Sequence, residues 1–230
     1  MIVESPKLDV KPLDTTTSFR NQAYAAIKDA ITAANIYAHP TEIRLDERQL
    51  SQALGVSRTP IREAMTLLEQ EGFLRTLPRR GVFIIRKTKR EIVEMIQVWA
   101  ALESMAARLA TQHASDAEIL RLHAHVDKFS QDEVARKMGE YSDANIKFHQ
   151  AIIGLGKCPL IAEICNGLFM HMRAIRQRTI FELDRAKRSI VDHTEIVNAL
   201  ETRETERAER LVREHTLRLR DHVERFVELD

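Results

Sequence analysis

The most informative stretch of the chain is DERQLSQALGVSRTPIREA, residues 46–64. Asp46 can cap the start of a helix, because its side chain can accept a hydrogen bond from the free N–H groups of the first turn. Gly55 supplies the left-handed residue that often ends a helix. Ser57 or Thr59 can then cap a second helix, which a glycine stops eight residues after the stretch ends. The stretch therefore predicts two short helices joined by a tight turn.

The segments on either side of this stretch predict a further helix and a hairpin. Upstream, Ser18 can cap a helix whose apolar residues recur at spacings of three and four. Downstream, residues 73–77 and 82–85 are β-prone runs separated by Pro-Arg-Arg-Gly at 78–81, which predicts a β-hairpin. Helix, turn, helix and hairpin occur in this order in a winged helix-turn-helix.

Charge in this region indicates nucleic-acid binding. Residues 58–90 contain nine basic and three acidic residues, although the whole chain has a net charge of only +1. A local basic patch is typical of a DNA-binding face, and a solvated arginine-rich surface is the alternative. Arg58, Thr59 and Arg62 lie at the N-terminal end of the second helix, which in this fold enters the major groove. Arg80 and Gly81 lie at the hairpin tip, which suits a minor groove.

From Lys89 onward the pattern is helical only. We expect one helix from Lys89 and five more at about 116–131, 132–155, 159–181, 184–202 and 204–229. The chain has only 7 glycines and 6 prolines, which disfavours an all-β fold. The predicted fold class is mainly α, with a winged helix-turn-helix followed by an all-α helical bundle. The predicted organisation is a flexible arm at 1–17, a DNA-binding domain at 18–88 and an effector-binding and dimerisation domain at 89–230.

Two further features bear on location. The first 17 residues contain five charged side chains, which excludes the apolar core of a signal peptide, and no run of 18 uncharged apolar residues predicts a membrane span. Cys158 and Cys165 match no metal or redox motif and are interpreted as reduced thiols. We therefore expect a cytoplasmic protein without membrane contact.

Histidines in the helical half suggest a metal site. Asn145 and His149 are four residues apart, on one helix face, and His193 and His215 fall on the apolar stripes of two other helices. Imidazoles from three helices can converge in a bundle core, where they suit Zn, Ni, Cu or Fe. The alternative is that each is a hydrogen-bonded core histidine, because sequence cannot show convergence.

The N-terminal motif resembles the GntR family of bacterial regulators over about forty residues, from Asp46 through Ala64 to Phe83. The resemblance implies that Arg48, Arg58 and Arg62 contact operator phosphates and bases. Thr59 would position the recognition helix and Gly81 the wing. It also implies a homodimer that binds a short palindromic operator.

The helical half resembles the FCD domain of FadR-like GntR regulators, and its six expected helices suggest the shorter VanR-like variant. Many FCD domains hold a metal with an Asp or Asn and three His, which implies a divalent transition metal, Zn or alternatively Ni, at Asn145, His149, His193 and His215. The implied effector is a carboxylate or an aromatic acid. Many relatives carry an effector-binding Arg where this chain has Trp99. Trp99 is thus a candidate effector contact or a core residue.

Arg173, Arg176 and Arg178 could replace the missing cation, and of these Arg173 is our candidate effector residue. Together these features predict a ligand-responsive regulator without catalytic activity, a repressor of a metabolic operon. A metalloenzyme is the first alternative, but no HExxH or comparable signature supplies a general base. A constitutive DNA-binding protein, whose helical half only dimerises, is the second. Metal or ligand retained on the purified protein would separate this second alternative from a ligand-responsive regulator.

Overall fold

The computed structural model describes residues 18–34, 36–37, 41–126, 137–179 and 183–228. The arm predicted at 1–17 lies outside them. Within these residues the chain is mainly helical, with one small sheet near its N-terminal end, which confirms the predicted fold class.

Three helices form most of the N-terminal part: α1 (Phe19–Ala33), α2 (Glu47–Leu54) and α3 (Arg58–Gln70). The predicted caps of α2 are confirmed, because the Asp46 carboxylate accepts from two backbone N–H groups and Gly55 has a φ of 67°. Ser57 rather than Thr59 is the residue before α3. Buried side chains of α1, including Ile27, pack against those of α3, including Leu68.

The wing is a three-stranded antiparallel sheet of β1 (Arg44–Leu45), β2 (Leu74–Leu77) and β3 (Gly81–Ile84), in the order β1-β3-β2. The predicted hairpin is confirmed, with Leu77 opposite Gly81 at its closed end. The sequence did not predict β1, because two residues are too short for an alternating pattern.

Seven helices follow the wing among the described residues: α4 (Lys89–His113), α5 (Asp116–Leu120), α6 (His123–Val126), α7 (Met138–Leu155), α8 (Pro159–Thr179), α9 (Leu183–Glu201) and α10 (Thr205–Phe226). Thr88 and Glu91 form a capping box that starts α4 directly after the wing. Helix α4 packs along α10 and also contacts α7 and α8, so it is the central helix of the bundle.

Two of the predicted helix bounds are wrong. The helix predicted at 116–131 is divided into α5 and α6, because the backbone N–H groups of Leu122 and His125 bond to carbonyls three residues earlier and tighten the chain. The helix predicted from 132 begins at Met138, after a non-helical Lys137. The expected count of six helices is therefore wrong, and the VanR-like variant, which rested on that count, stays a prediction.

The two parts of the chain are in direct contact. Tyr37 follows α1 in the chain, and its hydroxyl is 2.9 Å from Nδ1 of His171 on α8. Both residues are buried. The same hydroxyl accepts a hydrogen bond of 3.2 Å from the backbone N–H of Lys87, just before α4. Cys158 and Cys165 are free thiols. No helix among the described residues has both the length and the apolarity needed to cross a bilayer.

Candidate DNA-binding surface and metal centre

The first turn of α3 presents the residues predicted to contact DNA. Arg58, Thr59 and Arg62 are all exposed. Glu47 at the start of α2 holds both arginines, with its Oε2 at 3.2 Å from Nη2 of Arg58 and 2.7 Å from Nε of Arg62. The hydrogen bond from Arg62, followed by that from Arg58, lowers the pKa of Glu47 below its ordinary value, despite partial burial. The carboxylate therefore stays ionised and fixes the directions of the two guanidinium groups.

A groove of about 320 Å³ lies between these helices and the wing, and Arg48 and Gly81 line it together with Arg58 and Arg62. Arg44 on β1 also lines the groove, although the sequence did not predict it as a DNA contact. Its alternation with Leu45 is the only signal that could have indicated an outward side chain.

Gly81 is needed at this point for its backbone conformation. Its φ is +110°, which side-chain-bearing residues rarely adopt. An added Cβ would also lie 2.7 Å from Nε of Arg44, an exposed side chain that would have to move aside. Arg80, beside it, is exposed at the hairpin turn, with its guanidinium 5.8 Å from the ring centre of Phe83. The structure thus places Arg48, Arg58, Arg62 and Gly81 around one groove and Arg80 next to it.

The three histidines singled out in the sequence converge in the bundle core. One ring nitrogen from each of His149, His193 and His215 lies within 4.8 Å of the other two, and all three residues are buried. Nε2 of His193 is 3.2 Å from Nε2 of His215. Two nitrogens bound to one metal at about 2.1 Å lie about 3.0–3.4 Å apart in octahedral or tetrahedral geometry. The separation of these two nitrogens matches that of two ligands of a single metal.

Two of these imidazoles each contact a buried acidic side chain on the side away from the cluster. Nδ1 of His149 lies 2.5 Å from Oε1 of Glu103 on α4, and Nδ1 of His215 lies 3.0 Å from Oδ2 of Asp192 on α9. Such carboxylates fix the tautomer and orientation of metal-binding histidines. Neither contact was predicted from the sequence, because each joins residues that are distant along the chain. Thr216 on α10 also donates to Oε2 of Glu103 at 3.1 Å.

The environment keeps the imidazoles neutral, as metal binding requires. Burial, assisted by nearby positive groups, lowers the pKa of His149 and of His193 well below the ordinary value, and burial lowers that of His215 to about 4. Burial raises the pKa of Glu103 to about 8. Burial also acts to raise the pKa of Asp192, but the hydrogen bonds and charges of His215 and Arg218 together outweigh burial, and the pKa lies below its ordinary value.

Asn145 completes the cluster together with Arg176, a buried cation from α8. Nδ2 of Asn145 donates to Oγ of Ser189 at 3.0 Å, and Oδ1 accepts a hydrogen bond from Arg176. A second guanidinium nitrogen of Arg176 donates to Nε2 of His149 at 2.8 Å. Because that nitrogen accepts, the ring proton of His149 lies on Nδ1, facing Glu103. The donor atoms suit a metal, which would compete with Arg176 for Asn145 Oδ1 and His149 Nε2.

The two candidate effector residues lie in different places. Trp99 is buried against the cluster, with its ring centre 5.0 Å from that of His149 and 5.4 Å from the guanidinium carbon of Arg176. Arg173 forms an ion pair of 2.6 Å with Asp143 instead. Among the described side chains of α8, Arg176 is therefore the cation that reaches the histidines, and its guanidinium lies over the indole of Trp99.

Two family models match the chain. Residues 19–84 match the model described as bacterial regulatory proteins, gntR family, and residues 94–218 match that of the FCD domain. The chain is 36% identical over 126 residues to the Nta operon transcriptional regulator of Aminobacter aminovorans, which covers 54% of this chain and 59% of that one. It is 33% identical over 150 residues to the uncharacterized HTH-type regulator YdhC of Bacillus subtilis, covering 64% of each.

A solved structure extends the similarity of fold to most of the chain. E. coli McbR/YncC superposes with a TM-score of 0.75 at 21% identity, covering 91% of this chain and 98% of that one. The sequence matches to the Nta and YdhC regulators span less than two thirds of either relative. The structural similarity supports the fold, and function has to be argued from the residues.

Proposed function

The chain belongs to the GntR family of bacterial regulatory proteins and carries an FCD domain, and from this membership we propose that it is a ligand-responsive transcriptional regulator. Residues 18–88 bind operator DNA, and residues 89–230 bind a small effector and dimerise. The observation that carries the proposal is the pairing of an arginine-lined groove in one part with a buried histidine cluster in the other. Relatives named as regulators of transcription, rather than enzymes, support it over a metalloenzyme.

DNA contact is assigned to the groove formed by α3 and the wing. Arg62 presents a guanidinium at the start of α3, where an arginine can bind guanine O6 and N7 in the major groove. Arg62→Ala should weaken binding to a selected palindromic operator by about 1–3 kcal/mol and relax base preference. Arg210→Ala is the matched control, because Arg210 is an exposed arginine on α10. Footprinting of wild type that finds no protected palindrome at physiological salt would contradict the assignment.

A divalent transition metal, Zn or alternatively Ni, is assigned to His149, His193 and His215 with Asn145. When bound, the metal offers open coordination positions to an oxygen ligand, since four protein ligands leave up to two octahedral sites. Asn carries no charge, so the affinity should be lower than with Asp. His193→Ala should lower metal content and melting temperature together, because a metal that binds only the folded state stabilises it.

The matched control for this test is His113→Ala, which changes an exposed histidine at the end of α4. Elemental analysis of wild type that finds no metal above buffer level, even after incubation with Zn²⁺ and Ni²⁺, would contradict the metal assignment. It would leave the DNA-binding proposal intact.

Dimerisation is assigned to an apolar strip on α4 and α8. Val98 and Met105 on α4 and Leu160 and Ile164 on α8 are exposed, although all four side chains are large and apolar. Val98 of α4 and Leu168 of α8 line one shallow groove, so the two helices are neighbours at this surface. Met105→Lys should shift the protein towards monomer in analytical ultracentrifugation, whereas Leu120→Lys, which changes an exposed apolar residue of α5, should not. If Met105→Lys and wild type both sedimented as dimers, the assignment of dimerisation to this surface would be contradicted.

Repression of a metabolic operon is the proposed output. The Nta operon regulator and the repressor RspR of E. coli, 21% identical over 179 residues, are relatives whose names support it. The test is a reporter fused to the operator, whose expression should rise when the gene for this chain is deleted. A fall in expression would identify an activator instead.

A further inference from the structure

A cavity of about 430 Å³ opens beside the histidine cluster, between α9 and α10. Its inner end contains the buried side chains of Arg176, Ser189 and His215, and its outer end contains the exposed Arg188 and Arg225. Its volume falls in the range of about 300–1,000 Å³ that small-molecule sites occupy. The cavity therefore joins the cluster to the surface and is large enough for a metabolite.

Positive charge dominates the cavity lining. Five arginines and two aspartates line it: Arg176, Arg185, Arg188, Arg218, Arg225, Asp192 and Asp221. Asp192 is already shared, since it lies 2.7 Å from Arg218, 3.8 Å from Arg188 and 3.0 Å from His215. Asp221 pairs with Arg220, which is not part of the lining. The acids thus leave an excess of positive charge in a concave site, which attracts anions.

The inner end contains a polar group suited to a ligand. Nε of Arg176 is buried and has no hydrogen-bond partner among the described residues, although both terminal nitrogens of the same guanidinium are bonded. A buried unpaired donor costs free energy, and an anion in the cavity can reduce that cost. Leu219 and Phe226 form an apolar wall of the cavity between its two ends.

We propose that this cavity takes a small anion with two negatively charged groups separated by a short hydrocarbon segment. One group is held at the inner end, by Arg176 and the histidine cluster. The other is held at the mouth, by Arg188 and Arg225, and the segment between them lies against Leu219 and Phe226. The inference rests on the proposed function of the helical part as an effector domain, and adds the charge class of the effector. A dicarboxylate and a phosphorylated monoacid share this chemistry.

Calorimetric titration of the full-length, Zn²⁺-loaded protein tests the inference. The probes are unbranched dicarboxylates of three to six carbons, the monocarboxylates of the same lengths and 3-phosphonopropionate. The best dianion should bind at least about tenfold more tightly than the monocarboxylate of equal length, because a hydrogen bond to a charged group contributes about 1.5–3 kcal/mol. Tighter binding of 3-phosphonopropionate than of succinate would support the inference and identify the phosphorylated class.

Two variants at the mouth locate the second group. Arg225→Gln and Arg188→Gln should each weaken dianion binding by about tenfold and leave monocarboxylate binding unchanged. Arg210→Gln is the matched control, because Arg210 is an exposed arginine of α10 that does not line the cavity. The inference would be overturned by any of three results. These are equal affinity for mono- and dicarboxylates, no binding of any dianion, and wild-type dianion affinity in both mouth variants. None of these results affects operator binding, whose loss would refute the proposed function instead.

Discussion

The buried carboxylate of Glu103 offers a sharp test of the metal centre. Its side chain is fully buried, accepts from Nδ1 of His149 and is itself held by Thr216. Glu103→Gln keeps the volume and one acceptor oxygen, but it replaces an ionisable carboxyl with a neutral amide. Burial raises the pKa of this carboxyl to about 8, and a cation bound to His149 would favour its charged form. Loss of such a supporting group lowers metal affinity about 10–100-fold, which corresponds to about 1.4–2.8 kcal/mol.

The assay for Glu103→Gln is competition for Zn²⁺ against a chromogenic chelator, with melting of the metal-free protein as a check on folding. Thr216→Val is the matched control, since it removes the hydrogen bond to Oε2 and keeps the carboxylate, and its effect on metal affinity should be smaller. Asp192→Asn makes the corresponding change behind His215 and should also weaken binding. Folded Glu103→Gln protein that binds Zn²⁺ as tightly as wild type would refute the reasoning.

Three further outcomes follow from particular contacts. Gly81→Val should destabilise the fold by about 1–3 kcal/mol in urea unfolding and weaken operator binding, because a φ of +110° is strained for a residue with a side chain and Arg44 would have to move aside; wild-type stability would show that the wing adapts. Tyr37→Phe should lower the unfolding free energy by about 1–3 kcal/mol, since it leaves the buried His171 ring nitrogen without its partner; an unchanged urea midpoint would contradict this. Acidification of chelator-treated protein from pH 7 to 5 should lower its melting temperature. Burial holds the pKa of His171 and of His215 at about 4, so the unfolded chain binds protons at a higher pH than the folded protein does. Each histidine should lower the free energy of unfolding by about 1–2 kcal/mol at pH 5, and a melting temperature independent of pH would refute this prediction.

Local signals explain why the DNA-binding part was predictable. Asp46 and Gly55 carry their conformational preferences in their own chemistry, so the bounds of α2 follow from a few neighbouring residues. The start of α3 follows in the same way, because Ser57 is a favourable residue before a helix and the first turn of a helix tolerates Pro60. The short β1 could not be predicted, since it exists only through pairing with β3, some forty residues later.

The metal centre was only half predictable, for a physical reason. His149, His193 and His215 interrupt apolar stripes, and this marks them as inward-facing residues in the sequence alone. Glu103 also lies on an apolar stripe, four residues after Trp99 and three before Ala106. Its contacts with His149 and with Thr216, 113 residues away, come from the fold and not from this spacing. Arg176 was one of three arginines suggested as a replacement cation, and the sequence could not distinguish it from Arg173, which the fold pairs with Asp143.

The same limit applies to the helices at 116–126. Ile119, Leu122 and Val126 are buried at a spacing that fits one continuous helix, and the sequence pattern predicts one. The division into α5 and α6 follows from backbone N–H groups that bond to the carbonyl three residues earlier, rather than four as in an α-helix. Side-chain periodicity does not encode this difference.

The central claim is that a ligand bound at the metal centre changes the affinity of the winged domain for DNA. The most direct measurement is fluorescence anisotropy of a labelled operator with the Zn²⁺-loaded protein, in the presence and absence of the tightest-binding dianion, for wild type and His193→Ala. We expect the ligand to change the operator Kd of wild type by about 5–150-fold, the usual range of allosteric coupling, and to leave that of His193→Ala unchanged. An equal change in both proteins, or no change in wild type while calorimetry shows the ligand bound, would contradict the account.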